Sequence, residues 1–409
     1  MKRGVFLAAS AAGAVGAAAH PSRALAGPKA AVTLGDDVFV RDVWRELRGR
    51  TVGIVTNPSG VLSTGEPLAD AVHRNTQIAV KALFGPEHGI RGTTGAGETV
   101  GSSTDPNTGL PVYSLYGATR RPTRAMLDGI DVLLFDIQDV GARPYTYVST
   151  MAYVMEAAAQ YGKDVWVLDR PNPVGGVLLD GPVLDPKFAS FIGLYPIPER
   201  HAMTVGELAR MFNAHFNIRC KLRVIPMQGW QREMLWSDTG LNWVPTSPNI
   251  PYARTTLVYL ATGLVDEGGV NNGVGTTRPF EYAGGYGFEA APYRDALAAR
   301  NIPGVEFEPA DWVPTRGFWA GKTLRGVAIN VTDPRRFPSV RTAVELLAAA
   351  RAQGKFHIAP DHDKLFDRDW GTDTVRRALI DGVSSDAIVA AWQPGLRGFE
   401  SLRATYLLY

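Results

Sequence analysis

The sequence predicts an α/β fold, in which a Rossmann-like doubly wound parallel sheet is followed by a second, smaller α/β domain. The chain has 409 residues, of which 45% are hydrophobic, and this is enough to build two domains. Its first half alternates short apolar runs with segments of helical periodicity, as parallel strands joined by helices do. The runs are TVGIVTN from Thr51, AVKALFGPE from Ala79, DVLLFDIQD from Asp131 and DVWVLDRPN from Asp164.

Each of these runs ends in glycine, proline or polar residues, which is typical of strands buried on both faces of a sheet. Between the last two runs, the segment VSTMAYVMEAAAQYG places Val148, Met151 and Met155 on one helical face. A helix between two buried strands predicts the crossover of a βαβ unit. The first half of the chain therefore has the element order of a doubly wound sheet.

The second half gives fewer regular elements. The segment TVGE, Thr204 to Glu207, is a capping box, so we expect Glu207 to cap a helix rather than to catalyse a reaction. A strand KLRVIPM follows, and later segments predict a strand at GVAINV and helices at SVRTAVELLAAARAQG and DTVRRALIDG. We place the domain boundary near Val244, which gives a Rossmann-like domain over 27–244 and a C-terminal α/β domain over 245–409.

The first 26 residues have the pattern of an export signal. Lys2 and Arg3 precede an apolar run from Val5 to Ala19, and the small residues ALA precede Gly27. We expect cleavage after residue 26 and a mature protein that is periplasmic or extracellular, with the export route left open. The apolar run is too short for a stable membrane span, and no later segment approaches the required length.

Composition excludes several classes of function. The 42 basic and 40 acidic residues give a net charge of +2, which is not the footprint of a nucleic-acid partner. The single cysteine, Cys220, rules out an intramolecular disulfide bond and a thiolate metal cluster, and we expect it to be a buried structural thiol. The segment GFWAGKT is one residue too short for a phosphate-binding loop. The sequence thus predicts neither a cofactor nor a metal.

Polar residues gather where four predicted strands end. Since ligands of open parallel sheets bind outside the carboxyl ends of the strands, we expect these side chains to meet in one crevice. They are Asn57 after the first strand, Glu87 and His88 after the second, Asp136, Gln138 and Asp139 after the third, and Asp169, Arg170 and Asn172 after the fourth. The competing interpretation is that each Asp or Asn only caps the following helix.

Several long segments of the chain together form a specific pattern. They are GIVTNPSGV, LFGPEHGIRG, GLPVYSLYG, DVLLFDIQDVGARPYTYVSTM, VLDRPNPVGG, LDGPVLD, RHAMTVGELA, SPNIP and GTTRPFE. With these segments the chain resembles the bacterial exo-β-N-acetylmuramidases of the NamZ type, and the similarity covers nearly the whole mature chain. The resemblance implies a Rossmann-like domain, a smaller α/β domain and an active site in the cleft between them. It also implies release of terminal N-acetylmuramic acid from the non-reducing ends of peptidoglycan fragments.

The chain departs from the family pattern at two places. The loop DEGGVNNGVGTT, Asp266 to Thr277, lacks the serine and the arginine that the family has in this loop, so the preferred glycan and peptide stem are left open. Ala202 follows the histidine of RHAMT where the family has glycine, a change that alters backbone freedom and little else.

Hydrolysis of a glycoside needs a proton donor and a group that stabilises or traps the oxocarbenium-like centre. We expect Glu87 to be the proton donor, because it lies on a stiff turn between Gly85-Pro86 and Gly89. His88 would tune Glu87 or hydrogen-bond the sugar. The second role stays open among Asp136, Asp139, Glu281 from the second domain, and the 2-acetamido oxygen of the substrate.

The lactyl carboxylate of muramic acid calls for an arginine. Arg143 with Tyr145 is the first choice, and Arg170 the second. In the competing interpretation, Arg143 braces its loop by pairing with Asp136 or Asp139.

The remaining polar residues of the strand ends, Asn57, Gln138, Asp169 and Asn172, are predicted to bind the same peptidoglycan-derived muropeptides or disaccharides. Two other functions stay in competition. One is a non-catalytic periplasmic muropeptide-binding protein, for which a cleft between two domains is equally suitable. The other is a hydrolase of esters or amides, although the sequence offers no obvious serine or cysteine nucleophile.

Overall fold

The computed structural model describes residues 32–92, 95, 97–99, 101–317 and 319–409. The predicted export signal over 1–26 lies outside the described residues. Across the described ranges, no helix combines the length and the apolar character that a membrane crossing requires.

The described chain contains both β-strands and α-helices. The strands are β1 Thr51–Thr56, β2 Ala79–Gly85, β3 Ser103–Thr104, β4 Pro111–Ser114, β5 Val132–Asp136, β6 Asp164–Leu168, β7 Asp180–Val183, β8 Pro198–Arg200, β9 Lys221–Ile225, β10 Tyr282–Gly285, β11 Val305–Trp312 and β12 Leu324–Val331. The helices are α1 Gly35–Val38, α2 Leu68–Arg74, α3 Tyr147–Tyr161, α4 Val205–Ala214, α5 Thr255–Thr262, α6 Ala290–Ala298, α7 Ser339–Ala352, α8 Asp363–Trp370, α9 Thr374–Asp381 and α10 Ser385–Arg403.

The large sheet has the strand order β3-β4-β2-β1-β5-β6-β9, and its pairings are parallel except that of β3 with β4. Apart from the two-residue strand β3, the chain starts at a middle strand, builds to one edge and then returns to build the other. This is the doubly wound Rossmann order, and the predicted fold class is confirmed. The order reverses between β1 and β5, which makes the carboxyl ends of these two strands the topological switch point.

Strand β5 shows why the sequence folds in this way, because all five of its residues are buried. Leu133 and Phe135 pack in the core beneath α3 and α4, whereas Val132 and Leu134 pack in the core on the opposite face with α2. Side chains of a strand alternate between faces, so a strand covered on both sides must be apolar throughout. The predicted crossover helix is confirmed as α3, with Met155 fully buried.

The capping box at the start of α4 is also confirmed. The Thr204 hydroxyl accepts a hydrogen bond from the Glu207 amide at 3.3 Å, and the Glu207 carboxylate accepts one from the Thr204 amide at 3.0 Å. Glu207 is fully buried and also pairs with Arg232 at 2.8 Å. It therefore has the structural role that the sequence pattern predicts. Cys220 is buried, as expected.

The second domain has an antiparallel sheet of order β10-β12-β11, with α5, α6 and α7 packed in one core. Its last helix, α10, returns to the first half of the chain and packs against β7. Beyond α10, the Tyr409 hydroxyl donates a hydrogen bond to Asp169 at 2.8 Å, so the C-terminus docks on the Rossmann-like sheet. The boundary near Val244 stays a prediction.

One buried arginine ties the end of α8 to the Rossmann-like domain. Arg143 is 1% exposed and donates hydrogen bonds to the carbonyl oxygens of Pro182 at 3.1 Å, Ile197 at 3.3 Å and Asp369 at 2.9 Å. Its charge is balanced by Glu199, which is equally buried and lies 2.5 Å away. Burial raises the pKa of Glu199 to about 7, while the positive charge of Arg143 opposes that rise. Arg143 therefore joins β7, the β8 hairpin and the end of α8.

Gly371, directly after α8, makes room for this contact. Its backbone is left-handed, with φ of 67°, and a Cβ atom there would lie 2.8 Å from the Arg143 guanidinium. A larger residue would be both strained in its backbone and in collision with the arginine.

We predict that Arg143→Met lowers the free energy of unfolding by about 3–5 kcal/mol, because it leaves the Glu199 carboxylate buried without its partner. The double variant Arg143→Met/Glu199→Leu should recover much of this loss, since an apolar pair needs no charge compensation. Urea denaturation of the three proteins measures both effects. A single variant as stable as the wild type would show that Arg143 does not hold the two parts together.

Candidate active site

The site residues that were predicted at strand ends lie along one edge of the large sheet, at the carboxyl ends of β1, β2, β5 and β6. Their surroundings divide them into two groups. Some are enclosed in ion pairs and hydrogen bonds that hold loops together. Others keep hydrogen-bonding capacity for a ligand, and these define the candidate active site.

Glu87 is half-buried and is oriented through both carboxylate oxygens. Its Oε1 accepts a hydrogen bond from the Gly97 amide at 2.8 Å, and its Oε2 accepts one from the Thr146 hydroxyl at 2.7 Å. Burial, followed by the negative charge of nearby Glu87, raises the pKa of the Tyr116 phenol. Thr146 immediately precedes α3, but its hydroxyl serves Glu87 and does not cap the helix. The carboxyl group therefore has a fixed position with one side accessible.

His88 occupies the next position of the same turn. It is 4% exposed and has a left-handed backbone, with φ of 69°. For a residue other than glycine this conformation costs on the order of 1–2 kcal/mol. The turn that carries Glu87 is thus held in one specific conformation by its surroundings.

Three tyrosines form an aromatic wall near Glu87. The Tyr145 ring lies 4.9 Å from that of Tyr147 and 5.7 Å from that of Tyr259, each in an edge-to-face arrangement. Thr246 holds two of the hydroxyls, that of Tyr145 through its own Oγ1 at 2.7 Å and that of Tyr147 through its carbonyl at 2.5 Å. Burial raises the pKa of all three phenols, and the charge of Glu87 raises it further. They are therefore neutral hydrogen-bonding groups.

Tyr259 also marks the approach of the second domain to Glu87. Its pKa is raised by burial and then by nearby charges that include Glu199, Asp369 and Glu87. Burial, with the negative charge of Asp266 as the next contribution, raises the pKa of Asp369 to about 8. Acidic groups of both halves of the chain thus surround one phenol. Among the residues that the structure describes, no group of three or more His, Cys, Asp or Glu is placed to hold a metal ion.

Asp139 forms a second polar centre with His201. Asp139 Oδ2 accepts a hydrogen bond from the Gly141 amide at 2.8 Å and lies 3.4 Å from Nε2 of His201, which is fully buried. Since the Met203 amide donates to Nδ1 of His201 at 3.2 Å, we assign the histidine proton to Nε2, facing Asp139. Asp139 Oδ1 has no hydrogen-bond partner within the described chain. One carboxylate oxygen is therefore oriented, and the other retains its capacity to accept.

Asp136 and Arg170 are bound to each other and to other groups of the protein, and their predicted roles in catalysis and substrate binding stay predictions. Asp136 is fully buried and accepts a hydrogen bond from Arg170 Nε at 2.6 Å. Arg170 Nη2 donates to Asp36 at 2.5 Å and to the Val61 carbonyl at 3.0 Å. Burial raises the pKa of both carboxyl groups. Arg170 thus already has two carboxylate partners within the protein.

Asp169 and Asn172 are likewise occupied by the protein. Asp169 Oδ1 accepts a hydrogen bond from the Gly206 amide at 2.7 Å, and Oδ2 accepts from the Thr204 hydroxyl at 2.8 Å, so this carboxylate fixes the start of α4. Burial raises its pKa to about 6. Asn172 donates to the Met203 carbonyl at 2.9 Å and accepts from the Val174 amide at 3.1 Å. These contacts give both residues the loop-holding and capping role that competed with substrate binding.

Arg143 also departs from the sequence prediction. It lies within the buried contact with Glu199 and does not pair with Asp136 or Asp139. Its neighbour Tyr145 does belong to the aromatic wall near Glu87. The loop GARPYTY therefore contributes a phenol to the site and an arginine to the fold.

Asn57 and Gln138 meet at the topological switch point. Asn57 Oδ1 accepts hydrogen bonds from the Ser59 amide at 2.9 Å and hydroxyl at 2.5 Å, and Ser59 Oγ accepts one from the Gln138 amide at 3.0 Å. The Gln138 side-chain amide donates to two carbonyl oxygens, and its Oε1 has no partner within the described residues. Gln138 lines a small cavity of about 70 Å³ there.

Glu281 lies in a different cavity, of about 410 Å³, in the second domain. It pairs with Arg278 at 2.7 Å and Arg254 at 3.3 Å, and both arginines line the same cavity. None of the residues predicted at the strand ends lines this cavity. The structure therefore does not bring Glu281 into contact with the Glu87 turn.

Sequence reasoning missed several polar side chains of the site. His201 and Tyr147 lie inside the segments RHAMTVGELA and DVLLFDIQDVGARPYTYVSTM, which were noticed for their resemblance but not assigned roles. Tyr116 lies in GLPVYSLYG in the same way. For Tyr259 and Asp369 the sequence offers no such signal, because only the packing of the second domain brings them near Glu87.

Comparison with known proteins identifies the family of the chain. Residues 52–254 match the model of the N-terminal domain of the exo-β-N-acetylmuramidase NamZ, and residues 257–409 match that of its C-terminal domain. The peptidoglycan β-N-acetylmuramidase NamZ of Bacillus subtilis strain 168 is 42% identical over 385 residues, which are 93% of this chain and 92% of the relative.

Solved structures give the same result. A DUF1343 family protein from Bacteroides fragilis NCTC 9343 superposes with a TM-score of 0.88 at 35% identity, covering 93% of this chain and all of that one. A second DUF1343 protein from the same organism has a TM-score of 0.72 at 29% identity, covering 92% and 99% of the two chains. The matched domains, the full-length relative and the shared fold together show that the chain belongs to the NamZ exo-β-N-acetylmuramidase family.

Proposed function

We propose that this protein is an exo-acting glycoside hydrolase that releases terminal β-linked N-acetylmuramic acid from the non-reducing ends of peptidoglycan fragments during cell-wall turnover. The observation that carries the proposal is the position of Glu87. Its carboxyl group is held at a strand-end turn by the Gly97 amide and the Thr146 hydroxyl, while remaining half-exposed. The family relationship supplies the substrate class.

Glu87 acts as the proton donor to the leaving oxygen. Glycoside hydrolysis requires such a donor on one side of the scissile bond. The hydrogen bonds from Gly97 and Thr146 fix the direction of the carboxyl group. Proton transfer requires such a fixed direction, because the donor must point at the leaving oxygen. Tyr145 and Tyr259, the two partly exposed members of the aromatic wall, supply aromatic surface for a sugar ring, whereas Tyr147 is 2% exposed and supports them from the core.

Asp139 is the carboxylate that fits the second role. The Gly141 amide orients one of its oxygens, His201 lies beside the same oxygen, and the other oxygen has no partner within the described chain. Asp136, the other candidate of the same loop, also has one oxygen without a partner, Oδ2, but it is fully buried and its other oxygen is bound to Arg170, whereas Asp139 is 4% exposed and forms no arginine pair among the described residues. Asp139 therefore stabilises the oxocarbenium-like centre, directly or by activating water.

We predict that Glu87→Gln lowers kcat by a factor on the order of 10² to 10⁴, with the substrate dissociation constant nearly unchanged. The amide has the same volume but no labile proton to donate. Turnover of a chromogenic β-N-acetylmuramide and of an unactivated disaccharide measures the effect, and the loss should be larger on the unactivated substrate.

The matched glucosaminide is the control for this experiment. Near-normal turnover of the unactivated disaccharide by Glu87→Gln would remove Glu87 from the mechanism. A wild-type protein that binds the muramide without hydrolysing it would favour the muropeptide-binding function instead.

Asp139 and Asp136 should respond differently to the same substitution. We predict that Asp139→Asn lowers kcat by roughly 10²-fold or more at an unchanged melting temperature, because it removes a charge that acts on the substrate. Asp136→Asn should mainly reduce stability, because it leaves Arg170 with one carboxylate fewer. Activity assays and thermal denaturation of both variants test this. Equal loss of stability in the two variants would contradict the assignment.

The protein acts outside the cytoplasm in this proposal, as the N-terminal sequence predicts. Expression of the full-length chain in a bacterial host, followed by N-terminal sequencing of the mature protein, should find Gly27 as the first residue. Recovery of an uncleaved chain from the cytoplasm would contradict export.

A further inference from the structure

The buried state of Arg143 and Arg170 leaves open which cation recognises the carboxylate that distinguishes muramic acid from glucosamine. Other arginines near the strand ends are engaged as well. Arg91 pairs with Asp70 and with Asp105, each at 2.8 Å, and the arginines of the second-domain cavity share one glutamate. The partner must therefore be an arginine whose charge is not already balanced.

Arg120 meets this requirement. It is exposed and has no carboxylate within ion-pair distance in the described part of the chain. Its guanidinium carbon lies 4.3 Å from the centre of the Phe191 ring and 5.4 Å from that of Tyr116. The two rings lie 5.9 Å apart, so they form one aromatic support for the planar cation. A guanidinium held against aromatic faces keeps its N–H edge available to a carboxylate.

The same aromatic support connects Arg120 to the proton donor. Strands β2 and β4 are neighbours in the sheet, with Gly85 paired to Ser114, so Glu87 and Tyr116 each lie two residues beyond the same sheet edge. Since the Arg120 guanidinium carbon lies 5.4 Å from the centre of the Tyr116 ring, the unbalanced charge lies at the edge that carries Glu87. A substrate whose glycosidic oxygen lies at Glu87 would place its other substituents at the same edge.

Arg121 is a built-in comparison for Arg120. It is the next residue and carries the same charge, but it pairs with Glu156 of α3 at 2.6 Å and lies 4.4 Å from the Tyr153 ring centre. Its charge is balanced by the fold, whereas that of Arg120 is not. Comparing substitutions at the two positions therefore distinguishes a general effect of positive charge from recognition of the substrate by one oriented guanidinium.

We propose that Arg120, supported by Tyr116 and Phe191, binds the lactyl carboxylate of the muramic acid residue and so selects muramic acid over glucosamine. The inference rests on the proposed function, because it assumes that the sugar bound at Glu87 carries this carboxylate. Arg120 is a substrate-binding residue in this scheme and takes no part in proton transfer. Its contribution should weaken at high ionic strength, because the residue is exposed.

The experiment compares two chromogenic β-glycosides, N-acetylmuramic acid and its lactyl methyl amide, which has the same shape without the charge. Arg120→Ala should lower kcat/KM for the carboxylate substrate by roughly 10-fold to 100-fold, the range for losing a hydrogen bond to a charged group. The methyl amide should change by about 2-fold or less in this scheme. Arg120→Lys should recover part of the loss, because an ammonium keeps the charge but not the fork.

Arg121→Ala is the matched control and should affect the two substrates alike. The inference is overturned if Arg120→Ala lowers both substrates equally, or if Arg121→Ala reproduces its selectivity. Wild-type protein that hydrolyses neither substrate would instead refute the proposed function. If the wild type hydrolyses the carboxylate substrate but Arg120→Ala does not change the preference for the lactyl charge, the proposed function stands and only the role of Arg120 is refuted.

Discussion

The ion pairs of Arg170 with Asp36 and Asp136 are the constraint on which the site edge of the sheet depends. Their contact distances are 2.5 and 2.6 Å, and all three residues are at most 2% exposed. These contacts join the segment before β1 to the ends of β5 and β6, while Arg170 also holds the Val61 carbonyl after β1. Without the arginine, two carboxylates would be buried together, which is why its removal would cost far more than a surface pair.

These ion pairs stabilise the geometry of the loops, but they leave the paired groups less available for substrate binding or proton transfer. Burial raises the pKa of both carboxyl groups, and the single guanidinium is divided between them. Groups that must bind substrate or exchange a proton therefore have to come from positions beyond the buried strand ends. Glu87 and Asp139 meet this condition, because each follows the last strand residue by two or three positions and is held by backbone amides. The fold assigns opposite roles to the same residue type within one loop.

The difference between paired and available groups explains which features the sequence could predict. Periodicity and strand-end residues predicted the doubly wound sheet, the crossover helix and the capping box, because each depends on local pattern and burial. The short strand β4 was missed, since PVYS has only four residues at the edge region of the sheet. The roles of the charged residues at the site depend on partners distant in the chain. Arg143 is structural only because Glu199 lies in the β7–β8 hairpin, which no spacing in the sequence reveals.

The neighbours Arg120 and Arg121 show the same limit most sharply. In the sequence they are equivalent, since both follow GLPVYSLYG within a few residues. Only the position of Glu156 on α3 balances one charge and leaves the other. A residue type thus predicts which chemistry is available, whereas the partner decides whether the chemistry is used for the fold or for a ligand.

The two halves of the chain contribute differently to the candidate site. The first half orients Glu87 through the Gly97 amide and the Thr146 hydroxyl. The second half, through Thr246 and Tyr259, positions the aromatic wall. Proton transfer to a bound sugar depends on both, because the carboxyl group and the sugar must each be held in the reactive geometry. Through its hydrogen bond to the Asp369 carbonyl, Arg143 holds the end of α8, whose Asp369 raises the pKa of Tyr259, against the Rossmann-like domain.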